Sequence, residues 1–115
     1  MNTLKLDVTE LEIDEYQNAI ATRDYDRYFD YNESFKSQVI LPPNSTYRNI
    51  SFSEVTSPFA LIIISDYLIN ARINDFEITN TKMVLLNTFI ESVEIANVDG
   101  SEKDSTVSVY IWGKQ

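Results

Sequence analysis

Hydrophobic and polar positions divide this chain into short alternating runs. Residues 3–8 put Leu4, Leu6 and Val8 on one side and Lys5, Asp7 and Thr9 on the other, which predicts a first strand. Leu11 and Ile13 continue out of phase, which predicts a break near Thr9-Glu10. A capping-box reading of Thr9-Glu10-Leu11-Glu12 instead opens a helix through Ala21, so at most one short helix is expected near residues 14–21. Phe35, Ser37, Val39 and Leu41 share the face of a strand that must stop at Pro42-Pro43, which cannot donate to a ladder. Tyr47 to Phe52 resumes with Ile50 and Phe52 inward.

The stretch from Ser57 to Ile78 organises the rest. Phe59 to Ile64 is a continuous apolar run, the pattern of a strand buried on both faces. Tyr67, Ile69, Ala71 and Ile73 then alternate with Leu68, Asn70 and Arg72, and Ser65-Asp66 reads as a hairpin turn joining two strands. Short strands follow at Phe76–Ile78 and Met83–Leu86, separated by a turn at Asn80-Thr81. Another covers Phe89 to Ala96, with Val93 and Ile95 inward. Asp99-Gly100 supplies the positive φ of a tight hairpin. The last strand sets Val107, Val109 and Ile111 against Thr106, Ser108, Tyr110 and Trp112. About eight strands with little helix predict an all-β chain: a single antiparallel β-sandwich or jelly roll spanning residues 1–115.

Composition narrows the chemistry. The 115 residues include no Cys and no His, which removes thiolate chemistry, the commonest general base and the commonest metal ligand. Two glycines make no phosphate-cradling loop. The net charge is −9, of which −6 falls in residues 1–33, an acidic segment expected to be an arm or partner-contact region. Such a chain lacks the cations that displace counterions from phosphate, so nucleic-acid binding is not expected. The opening MNTLKLDVTE does not read as a signal peptide, and no apolar run reaches membrane-spanning length.

Candidate sites are sparse. Asp24, Asp26 and Asp30 suggest calcium, but Phe29 and Phe35 occupy the positions where the loop template requires Gly and the closing Glu. The pairs Glu91/Glu94 and Glu12/Glu15 carry no mark of convergence, and no serine has an activating partner, so no catalytic, cofactor or metal residues are assigned. Three Asn-x-Ser/Thr triplets are what chance gives with ten asparagines. The aromatics Tyr110, Trp112, Tyr25, Tyr28 and Tyr31 read either as strand packing, as a subunit interface, or as a stacking platform for a glycan.

The order of LxLxV, LPPNST, SPFALIIIS, YLINARIN, TKMVLLN, FIESVEIAN and VSVYIWGK resembles small β-sandwich virion proteins of tailed bacteriophages, over roughly residues 33–114. The resemblance implies a non-enzymatic capsid, head-fibre or tail component located in the virion. Its partners would be itself and other virion proteins, with no cofactor, nucleic acid or membrane. The alternatives are a carbohydrate- or receptor-binding module and, more weakly, an acidic inhibitor or decoy.

Overall fold

The computed structural model describes all 115 residues, and every regular element in it is a strand. These are β1 (Asn2–Ile13), β2 (Ala19–Tyr31), β3 (Glu33–Leu41), β4 (Arg48–Asn49), β5 (Pro58–Ile73), β6 (Phe76–Asn87), β7 (Val93–Asn97) and β8 (Ser105–Gly113). All pairings are antiparallel. By contacts the chain divides into two compact units, Met1–Tyr31 and Asn32–Gln115.

The first unit is a hairpin of β1 and β2. Pairing runs without interruption from Asn2↔Tyr31 to Glu12↔Ala21 and shifts only at Ile13. The expected break at Thr9-Glu10 is therefore absent: Leu11 stays in register and simply changes face. The expected helix is absent as well. Asp14 Oδ1 accepts the N–H groups of Tyr16 and Asn18, both at 2.9 Å, and Gln17 takes a positive φ of 67°. An aspartate that ties its own backbone two residues on favours a turn over a helix. Cross-strand pairing then recruits residues 19–21.

The second unit is a sandwich-like fold built on β5. This strand runs unbroken for 16 residues, so Ser65-Asp66 is an irregularity within one strand, and the predicted hairpin there is corrected. Its first half, residues 58–65, lies between β8 and β6; its second half, residues 69–73, lies between β7 and β6. β7 and β8 thus follow one another along the same edge of β5, separated by residues 98–104. Asp99-Gly100 still turns the chain, with Gly100 at φ 78°, but it joins two strands that pair with successive stretches of β5 rather than with each other.

The hairpin turn that does follow β5 is Asn74-Asp75, where both residues have positive φ (50° and 70°) between the paired Ile73 and Phe76. Two left-handed residues match the twist of the flanking strands. Asn74 also accepts from the N–H groups of Glu91 and Ser92 and donates to Phe89 O, fixing the approach to β7. β6 is one strand from Phe76 to Asn87, with the predicted turn at Asn80 reduced to a positive φ inside it.

Side chains from both halves of β5 share one core. Leu61 and Ile63 from the first half meet Ile69, Ala71 and Ile73 from the second, with Val107, Val109 and Ile111 of β8 and Val93 and Ile95 of β7. The expected inward faces of β3, β7 and β8 are therefore correct. The region 47–52 forms only the two-residue β4, although Ile50 is buried and Phe52 packs against the core as expected.

Candidate functional site

The outer surface of the first sheet half follows from the same alternation. Inward residues are apolar, so their neighbours at the opposite parity face out. Register places three four-strand rows on that surface: Ser34–Trp112–Ala60–Asn87, then Lys36–Tyr110–Ile62–Leu85, then Gln38–Ser108–Ile64–Met83. Of these twelve residues only Lys36 is charged, in a chain whose charged fraction is 23%. Met83 is 64% exposed, Ile64 49% and Leu85 43%, while Ile62 and Tyr110 are half-buried. Such a cluster of open apolar side chains is the kind of patch that marks an interaction surface.

Tyr110 and Trp112 lie on this outer side, as their position in the final strand predicts, and stack with ring centroids 6.1 Å apart and planes 15° from parallel. Trp112 is only 9% exposed, so its ring is not an open platform. The open part of the face is made by Ile64, Met83 and Leu85, none of which was singled out from sequence. The signal was present: within LIIIS and TKMVLLN, parity relative to the core residues Leu61 and Ile63 sends Ile62 and Ile64 outward. Reading the run as buried on both sides concealed it.

The other three tyrosines belong to the hairpin unit. Tyr25 and Tyr31 share one face with Leu4, Leu6, Val8 and Phe29, whereas Tyr28 stands on the opposite face, with Lys5 Nζ 5.7 Å from its ring centroid. Tyr28 is more exposed than Tyr25, and Tyr31 is half-buried. The hairpin thus has a mostly apolar half-face and, behind it, an acidic face carrying Asp7, Asp24, Asp26 and Asp30.

On that acidic face Asp7 and Asp26 are directly opposed. Like charges so placed cannot both ionise freely. A hydrogen bond between the two carboxyls holds Asp7 below its ordinary value, with help from Lys5, and pushes Asp26 up. Asp24, Asp26 and Asp30 lie along an open strand, away from any calcium-loop geometry. No family model, curated protein or solved structure matches this chain.

Proposed function

We propose that this protein is a non-enzymatic structural subunit that works by associating with copies of itself. The observation that carries the reading is the outer face of β3, β8, β5 and β6, with one charge in twelve positions. A chain of charge −9 repels its own copies through most of its surface. That repulsion is smallest where the charge is missing, and burial of Ile64, Met83, Leu85 and Tyr110 supplies the attraction.

The dimensions bear on how the subunits meet. Four strands at ~4.8 Å and three rows at ~6.7 Å cover about 400 Å². A standard interface uses about 800 Å² per partner, so this face supplies roughly half. Considered by itself, the apolar half of one hairpin face, from Asn2↔Tyr31 to Val8↔Tyr25, offers a separate contact of about 200 Å². A two-stranded hairpin is marginally stable alone, which supports its use as a contact element. Placement in a virion, as a capsid, head-fibre or tail component, is supported by the order of sequence segments resembling small phage sandwich proteins.

Sedimentation velocity tests the reading. The wild-type chain should sediment as an oligomer, and Leu85→Lys combined with Ile64→Lys should give monomers with an unchanged β-type circular dichroism spectrum. A wild-type chain that stays monomeric at high concentration refutes the proposal.

A further inference from the structure

β6 leaves one side open. It pairs with β5 alone, and no strand lies against its other edge. From Ile64↔Met83 to Ala60↔Asn87 the pairing runs without a shift, and residues 83–87 contain neither a charge nor a proline. Those are among the devices by which sheet edges keep a further strand from adding on.

The sheet itself fixes where the backbone groups of this edge point. In an antiparallel ladder the N–H and C=O of one residue face the same neighbour, and successive residues alternate. Thr106 N–H donates to Asp66 Oδ1 on the β5 side of β8, whereas Gly113 O accepts from Asn32 N–H on the β3 side. Even-numbered residues of β8 therefore turn toward β5, where Ser108 meets Ile64. Ile64 spends its groups on β8, so Met83, paired with it on the opposite flank, points its own away from β5. The Thr81 hydroxyl agrees: it accepts from Met83 N–H at 3.3 Å and donates to Met83 O at 2.9 Å. Leu85 and Asn87 share the parity of Met83, so their main-chain donors and acceptors face the open side as well.

Self-complementarity and area select the occupant. Laid antiparallel to a copy of itself about an axis at Leu85, the midpoint of the straight segment, this edge sets Met83 against Asn87, Val84 against Leu86 and Lys82 against Thr88. The outward groups of Met83, Leu85 and Asn87 all find partners, and no like charges are opposed. Leu85 meets its own copy on the outer side, so the uncharged face continues across the junction. It grows from four strands to eight, and from about 400 Å² to about 800 Å², the area one partner gives to a standard interface.

We propose that two copies of this chain join β6 to β6 across a two-fold axis at Leu85, forming one sheet whose doubled outer face then meets further copies. The inference rests on the self-association reading and names the contact with which association begins.

Two measurements test it. The first is amide hydrogen exchange of the wild-type chain, read residue by residue below and above the concentration at which sedimentation shows association. Exchange at Leu85 and Asn87 should slow about tenfold or more in the oligomer. The second uses the absence of cysteine from the chain, which lets an introduced thiol report alone. Leu85→Cys should form a disulfide-linked dimer under mild oxidation, because a hydrogen-bonded pair brings Cα atoms to about 5.5 Å, within disulfide reach. Mixing Met83→Cys with Asn87→Cys should give the mixed dimer in excess over either variant alone. An oligomer whose Leu85 and Asn87 amides exchange as fast as in the monomer, or whose mixed variants give no such excess, overturns the edge pairing and leaves self-association standing. Protection already complete in the monomer, from a segment of the same chain, overturns the edge pairing too. A chain that never associates overturns both.

Discussion

Asn97 is the residue whose replacement the structure prices most clearly. It sits at the end of β7, 3% exposed, and joins three segments. Nδ2 donates to Leu41 O at the end of β3 and to Lys103 O in the loop before β8, and Oδ1 accepts from Val98 N–H at 2.8 Å. The Leu41 carbonyl is followed by Pro42 and Pro43, which have no N–H to continue the ladder, so the asparagine ends β3. Asn97→Ala removes three hydrogen bonds at a net ~1 kcal/mol each, a loss of about 3 kcal/mol. Asn97→Asp should cost more at neutral pH, because a buried carboxylate then faces two carbonyl oxygens.

The pH behaviour separates the two variants. Burial against acceptors raises the folded pKa of the new aspartate above its unfolded value of about 3.9. The charged form is the disfavoured one, so the extra destabilisation is present above the folded pKa and is relieved as pH falls through it. Urea denaturation followed by fluorescence of the single Trp112 is the assay. With m of about 1.5 kcal/mol/M, the alanine midpoint should fall by about 2 M. An alanine variant within about 0.5 kcal/mol of wild type, the range of ordinary surface changes, refutes the clasp. So does an aspartate variant no worse than alanine at neutral pH.

Gly113→Ala should cost about 1–3 kcal/mol through overpacking, since a Cβ there would stand 2.5 Å from Val55 Cγ1 and 2.7 Å from Ser57 O; thermal denaturation reads this directly. Glu33 accepts from the Thr56 hydroxyl and from the N–H groups of Thr56 and Ser57, which holds its pKa below the ordinary glutamate value. Its contribution is therefore present above that ordinary value and lost as pH falls through the depressed one, so the stability gap between wild type and Glu33→Gln should close on acidification. Asp26→Asn removes the like-charge pair with Asp7 and should slow hydrogen exchange across the hairpin at neutral pH. In the wild type the same gain in protection, measured relative to the intrinsic exchange rate at each pH, should develop as pH falls through the raised Asp26 value.

The sequence by itself determined that this is a strand protein and which side of most strands is inward. Period-two alternation of Phe35-Val39-Leu41, Val93-Ile95 and Val107-Val109-Ile111 needs no partner to be read, because the pleat alone sets which side chains point together. It also bounded the chemistry, since residues that are missing cannot act. Tertiary structure decided how runs become strands. Ser65-Asp66 looks like a turn, yet two different neighbours, β8 then β7, pair along one side of β5 and carry it through. Residues 14–21 have a helical stripe, but Asp14 and the register with β1 claim them. The uncharged face arises from residues up to about 80 positions apart, brought side by side by ladder register, and no local pattern encodes which strand lies beside which.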